Sequence, residues 1–271
     1  TGAGSRLDHA SGEVLVGCDG IRSAVRSLVN PAPDPLRYSG ITMWRGVTRS
    51  QPFLTGATMA YAGWLETGKV IAYPIEEPSR SDGLQLINWI VEFFVEPRDP
   101  SGDWSRPGEL QDFLFACEEM QFDWLDIPAL IRSTPAVYEY PMVDRDPLPY
   151  WTDGRITLLG DAAHPMYPRG SNGAGQAILD ARVLADHLAN EADVYVALHR
   201  YDDIRCPATS DVVLANRKNP PDAVLREVFQ RTGDRPFDDI EAVISKRELE
   251  AMSLKYKQVA GFDPAKLRRV K

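Results

Sequence analysis

Between Arg155 and Asp180 the chain reads RITLLGDAAHPMYPRGSNGAGQAILD, and this stretch gathers the residue types best able to do chemistry. One carboxylate, Asp161, follows the apolar, partly β-branched run Ile156-Thr157-Leu158-Leu159, which has the length of a buried strand. A loop rich in Gly and Pro comes next, and then a helical pattern with Ile178, Ala181, Leu184, Ala185 and Leu188 on one face. The start of a helix carries unpaired N–H groups and partial positive charge. Gly170, Gly173 and Gly175 let a flat or anionic ligand come close to that backbone. Asp161 can accept strong hydrogen bonds from ligand hydroxyls, or it can simply cap the loop. His164 adds an acid–base group to the same loop.

The elements that would position these residues can be read along the chain. Glu13 to Cys18 (EVLVGC) predicts a buried strand ended by the turn pair Asp19-Gly20, and Ser23 to Val29 predicts a short helix stopped by Asn30-Pro31. Pro31 to Pro149 is β-rich, with strands expected at Ile41 to Thr48, Val70 to Ile75, Leu84 to Val95 and Val137 to Val143. A short helix is expected at Leu110 to Met120, and Gly/Pro clusters at Pro78 to Gly83 and Pro97 to Gly108 punctuate the strands. Asp193 to Lys218 reads as helices. Beyond Asn219-Pro220-Pro221 follow charged helical runs from Asp239 to Tyr256 and a basic end, Lys266 to Lys271, read as a solvated extension.

Composition narrows the function classes. The chain has 271 residues, 44% of them hydrophobic and 25% charged, as in an ordinary globular enzyme with a sizeable core. A net charge of −9 argues against nucleic acid or an anionic membrane as partner. No apolar run approaches the ~20 residues of a membrane span, so no membrane association is expected. Cys18, Cys117 and Cys206 are widely spaced and odd in number, which fits buried free thiols in the cytoplasm rather than disulfides or zinc. His9, His187 and His199 have no ligand spacing, so no metal is expected. Trp44, Arg45, Tyr73, Asn88, Trp89 and Tyr140 fall on the β-rich strands, where rings could stack on an aromatic ligand or fill a core. None is assigned a catalytic role.

Gly160-Asp161-Ala162-Ala163-His164, then Pro168, Gly170, Gly173, Gly175 and the helical Asp180, resemble the second flavin fingerprint of the single-component FAD-dependent aromatic hydroxylases, the p-hydroxybenzoate and salicylate hydroxylase family. Many members have Asn where this chain has Gly175, although the salicylate hydroxylase branch accepts Gly followed by Gln, as in Gly175-Gln176. Asp19, Gly20, Ser23 and Arg26 resemble the family's other internal fingerprint, in the family's order. Ile41 to Thr48 and Tyr140 to Pro147 look like the bacterial methylphenazine-carboxylate hydroxylases, which hydroxylate with loss of a carboxylate.

The resemblance implies an α/β fold: the C-terminal portion of a Rossmann-like, glutathione-reductase-type FAD-binding domain (1–30 and 150–190), an inserted β-sheet substrate domain (31–149) and C-terminal helices (191–271). It implies FAD as cofactor, NAD(P)H and O₂ as co-substrates and a small aromatic or heteroaromatic substrate, hydroxylated through a flavin C4a-hydroperoxide. Asp161 would bind the ribityl chain, with Gly160 at its turn. Gly173, Ala174 and Gly175 would present N–H groups to the flavin's pyrimidine edge, and Pro168 and Gly170 would lie near the ring. Asp19 and Arg26 would sit near the pyrophosphate and take part in nicotinamide nucleotide handling, or serve only as a turn Asp and a helix-surface Arg, and His164 would hydrogen-bond structurally. The family's amino-terminal Gly-x-Gly-x-x-Gly unit has no counterpart, since Gly2-Ala3-Gly4 lacks a preceding strand. The chain is therefore expected to be a C-terminal portion of a longer enzyme. The alternatives are a flavin-dependent reductase on the same fold and an inactive binding remnant. The halogenase signature Trp-x-Trp-x-Ile-Pro and a Gly-x-Ser-x-Gly elbow are absent.

Overall fold

A computed structural model describes residues 11–96, 106–218 and 222–259. Gly2-Ala3-Gly4, His9, residues 97–105 of the Pro97–Gly108 cluster, the Asn219-Pro220-Pro221 break and the basic end lie outside the described residues. In chain order the elements begin with β1 Leu15–Gly17, α1 Ala24–Val29, β2 Arg37–Ser50, β3 Ala60–Trp64, β4 Gly68–Pro74 and β5 Gln85–Phe94. Two 3-10 turns, Leu110–Asp112 and Leu114–Cys117, precede β6 Gln121–Phe122, β7 Leu125–Asp126, α2 Ile127–Arg132 and β8 Val137–Asp144. The chain continues through β9 Thr152–Asp153, β10 Ile156–Leu158, 3-10 turns at Gly160–Ala162 and Arg169–Ser171, α3 Gly173–Asn190 and α4 Val194–Lys218. It closes with α5 Ala223–Thr232, α6 Ile240–Val243 and α7 Lys246–Val259.

These elements fall into two units, one of residues 1–35, 145–220 and 255–271, the other of 36–144 and 221–254. In the first, β1 pairs parallel with β10 and β9 pairs antiparallel on β10's other side. Parallel pairing requires the long crossover that the intervening hundred-odd residues supply. Gly17 allows α1 to settle directly on β1, because a Cβ there would stand 2.7 Å from Val25 Cβ. Val29, Leu148, Trp151, Leu158, Leu184, Leu198, Tyr201 and Cys206 form this unit's core.

The second unit is built on a five-stranded antiparallel sheet of order β3-β4-β5-β2-β8. Side chains alternate between its faces. Trp44, Val70, Ala72, Ile87, Trp89 and Val91 point to one side and meet Phe113, Cys117, Ile127, Leu130 and Ile131 from the 3-10 turns and α2. The opposite face carries rows fixed by the register. Tyr61, Ile71, Ile90, Arg45 and Tyr138 stand side by side across all five strands. The next row includes Lys69, Glu92, Met43 and Tyr140. Here buried Lys69 pairs with Glu92 and, at 3.0 Å, with Asp222 at the start of α5, which packs on β3.

Several expectations change. Leu110 to Met120 is two short 3-10 turns rather than one helix, because Phe113 between them leaves helical geometry and inserts a fully buried ring beside Trp44 and Trp89. β3 is an added strand whose Ala-Tyr-Ala-Gly-Trp composition carries little strand signal. Cys117 and Cys206 are buried, but Cys18 is exposed. Burial pushes the Cys117 thiol up to about 12 and that of Cys206 up to about 11, so both are inert near neutral pH.

Trp44 stacks on Phe93 and Phe113 with centroids 5.0 and 5.4 Å away, while its buried Nε1 has no hydrogen-bond partner among the described residues. Trp44→Ala is expected to lower the unfolding free energy by about 3–5 kcal/mol. Trp44→Phe should cost much less, since it keeps the stack and removes the orphaned donor. Urea denaturation of the two variants checks the difference, and equal losses would refute this account.

Candidate active site

The strand β10 delivers the chain to Gly160, whose φ of 63° is left-handed and turns the backbone sharply into the Gly160–Ala162 turn. The N–H groups of Ala163 and His164 both donate to the Gly160 carbonyl, at 2.8 and 2.9 Å. Asp161 is thereby lifted out of the core and exposed while its neighbours Ala162, Ala163 and His164 are buried. The loop then passes Pro168, Gly170 at φ 74° and Ser171 at φ 53° before α3 begins at Gly173. A Cβ placed on Gly173 would stand 3.9 Å from Asp161 Oδ1, so the carboxylate and the start of α3 are close neighbours. Asn172, at the N-cap position, makes no side-chain cap hydrogen bond to α3. Its first-turn N–H groups, at Gly173, Ala174 and Gly175, thus open beside an exposed carboxylate, with no side chain on the two glycines.

One residue holds this loop in place. Asp180, on α3, is fully buried and accepts from the Gly160 N–H at 3.2 Å, His164 Nε2 at 2.5 Å and Arg205 Nε at 2.7 Å. Arg205, on α4, also donates to Gln176 Oε1 at 2.6 Å, and Tyr201 OH donates to the Leu158 carbonyl at 2.8 Å. Burial pushes the Asp180 carboxyl upward, but the His164 and Arg205 hydrogen bonds and charges outweigh it and hold the group below the usual carboxylate range. His164 is a buried partner of Asp180, packed against Trp151. The expected apolar face of α3 is corrected here: Ile178, Ala181, Ala185 and Leu188 are exposed. The buried line is Asn172, Gln176, Asp180 and Leu184, chosen by hydrogen bonding to α4 and the loop rather than by apolar content.

The other fingerprint reaches the same loop from behind. Asp19 accepts from Ser23 Oγ at 2.5 Å and from the N–H groups of Ala24 and Val25 at 2.7 and 3.2 Å. Slight burial raises the Asp19 carboxyl, and these bonds outweigh it to give a lowered value. The result fixes the start of α1 and aims Arg26 inward. Arg26 is 2% exposed. Its Nη1 donates to the carbonyls of Ala162 and Ala163 at 3.1 and 2.6 Å, its Nη2 to that of Asp146 at 2.9 Å and its Nε to Asp34 at 2.5 Å. The structure therefore brings Asp161 and the start of α3 at Gly173, Ala174 and Gly175 to one opening, keeps Gly160 buried in the turn beneath it, leaves Pro168 and Gly170 exposed on the loop between, and sets Arg26 as its brace. Among the described residues no group of His, Cys, Asp and Glu could hold a metal, and no helix is long and apolar enough to cross a membrane. The Gln176–Arg205–Asp180 network was not anticipated. Its one sequence signal is the four-residue spacing of polar Asn172, Gln176 and Asp180 along a helix.

Residues 141–215 match the family model described as an FAD binding domain. The chain is 44% identical over 233 residues to phenazine 1,6-dicarboxylic acid hydroxylase PhzS of Lysobacter antibioticus, covering 85% of this chain and 57% of that protein. It is 31% identical over 220 residues to a salicylate hydroxylase of Pseudomonas putida, covering 72% and 48%. A solved salicylate hydroxylase substrate complex superposes with a TM-score of 0.62 at 23% identity, over 93% of this chain and 64% of that one. Klebsiella pneumoniae HpxO complexed with FAD and uric acid gives 0.61 at 23%, over 95% and 58%. The chain thus spans about half the length of these curated relatives.

Replacing Asp180 by Asn leaves buried Arg205 without its counter-charge and should lower the unfolding free energy by about 3–5 kcal/mol. Because the folded-state pKa of Asp180 is depressed, its contribution is complete above the unfolded value of ~3.9 and is lost as pH falls through the folded one. Urea titrations from pH 6 down to pH 2 should show a shallower acid-side loss in D180N than in the parent. Parallel pH profiles would contradict the assignment.

Proposed function

Since the chain belongs to the family of FAD-dependent aromatic hydroxylases, we propose that it supplies the flavin-ring half of a monooxygenase that uses NAD(P)H and O₂ to hydroxylate a small aromatic or heteroaromatic acid. The carrying observation is the pairing of exposed Asp161 with the uncapped start of α3, across a loop pinned by Asp180. An open carboxylate suits the hydroxyl-bearing ribityl chain of FAD, and free N–H donors on a helix start suit the electron-rich edge of its ring. The residues present fit that group: the loop is glycine-lined at Gly170, Gly173 and Gly175, and among the described residues no hydrogen bond or ion pair engages the Asp161 carboxylate.

When bound, FAD supplies the redox chemistry, taking hydride from NAD(P)H and activating O₂. The residues of this chain do the rest. Asp161 would orient the cofactor by accepting hydrogen bonds from its hydroxyl groups. Gly173, Ala174 and Gly175 offer N–H donors where negative charge grows on reduction. Gly160 sets the turn, Pro168 and Gly170 shape the loop, and Asp19 and Arg26 keep α1 braced against it. Similarity to a hydroxylase named for a phenazine dicarboxylic acid supports a fused-ring carboxylic acid as substrate. Three free cysteines, two of them buried, support a reducing compartment, and we place the reaction in the cytoplasm.

The flavin-loaded protein should show a flavin absorption spectrum and oxidise NAD(P)H faster when an aromatic acid is added, giving a product one oxygen atom heavier. A product without that mass gain would make it a reductase, and absence of bound flavin would sink the reading. Asp161→Asn should weaken FAD binding by roughly 10- to 100-fold, the loss expected for charge-assisted hydrogen bonds, with the unfolding midpoint unchanged because the side chain is exposed. Equilibrium dialysis with FAD measures the first and thermal unfolding the second.

A further inference from the structure

We propose that Arg45 is the anion anchor of the second sheet face and selects aromatic rings that carry a carboxylate, a proposal that rests on the aromatic-substrate reading above. On that face Arg45 is exposed in the row Tyr61, Ile71, Ile90, Arg45 and Tyr138, between Ile90 and Tyr138. Its surroundings are half-buried and largely apolar: Met43 and Val47 on its own strand, and Ile90 beside it. The face thus offers a flat shelf for a ring, with one cation standing in it.

That cation is positioned and uncompensated. Its Nη2 donates to Asn88 Oδ1 at 3.0 Å, and its guanidinium carbon lies 5.9 Å from the centroid of the Tyr140 ring. No carboxylate of the described residues pairs with it. Other cations on the face are already paired with carboxylates: Lys69 with Glu92 and Asp222, and Arg49 with Asp82. Asn88 is 2% exposed, and its Nδ2 has no hydrogen-bond partner among the described residues. A buried amide that spends its oxygen on Arg45 while its own donor goes unsatisfied is a costly arrangement. It is accounted for if the task of Asn88 is to hold the guanidinium plane still. A guanidinium so held offers its remaining N–H groups as a planar fork that matches a carboxylate in bidentate fashion, whereas a neutral carboxamide brings no charge and its NH₂ faces a group with donors only.

Calorimetric titration of the flavin-loaded protein with 1-naphthoate and 1-naphthamide tests this directly, with flavin content read by absorbance on each preparation. The parent should bind 1-naphthoate at least tenfold more tightly than 1-naphthamide. Arg45→Gln should bring the two affinities together by weakening the naphthoate alone, and Arg45→Lys should retain part of the preference. Asn88→Ala, a change at a positioning residue, should narrow the ratio without moving naphthamide affinity. A ratio unchanged in R45Q, no preference in the parent, or no binding of either probe to flavin-loaded protein would overturn the anchor. A preparation without flavin that keeps the Arg45-dependent ratio would support the anchor while removing the flavin reading.

Discussion

The first unit depends on one buried carboxylate being satisfied. Asp180 has no exposure, and an ionised carboxyl there is tolerable only because Arg205, His164 and the Gly160 N–H all donate to it. The donors come from α4 and from the turn after β10, where Gly160 opens the turn and His164 starts the loop, while Asp180 itself sits on α3. Satisfying Asp180 therefore assembles three pieces of chain at once. The left-handed Gly160 is held in register with α3, and Asp161 is turned outward as a consequence. Arg26 applies the same logic from the other side, donating to the carbonyls of Ala162 and Ala163 in and just after the tight turn. The exposed part of the loop is specified by what is buried beneath it.

The second unit divides its work by face. Alternation along the strands places Trp44, Trp89 and Val91 in a ring-stacked core and leaves the other side to carry charge and half-buried apolar groups. Lys69, Glu92 and Asp222 spend their charges on one another and tie α5 to the sheet. Arg45 does not take part in that cluster. Two cations on adjacent rows of one face thus have opposite circumstances, one neutralised in place and one left to the solvent side.

What the sequence made legible was local. Gly160 to His164 with Gly170, Gly173 and Gly175 is a contiguous motif whose strand, turn and helix start follow from composition within a short window, and the flavin resemblance came with it. β2 and β5 were recognisable because ITMWRGVT and LQLINWIVEFFV carry aromatic and β-branched residues throughout. β3, built from Ala-Tyr-Ala-Gly-Trp, has no such pattern and exists because β4 offers it a pairing edge. The buried side of α3 was misjudged because apolar periodicity assumes that burial follows hydrophobicity, and here Arg205, twenty-five residues onward, decides it. The Arg45–Asn88 contact was beyond reach for a related reason. Register between β2 and β5 is a tertiary outcome, and a slip of one residue would place Asn88 on the opposite face.

Cys18 stands just after β1, immediately before the Asp19 that caps α1, and is the exposed thiol among the described residues. Partial burial of its sulfur, with the negative charges of Asp19 and Asp180, raises its pKa. Burial first, and then the two carboxylates that organise the loop and its brace, favour the protonated form of this sulfur, the form that reacts poorly with peroxides and disulfides. The carboxylates that order the loop and its brace thus also bear on the protonation of a neighbouring thiol that neither of them contacts by a hydrogen bond.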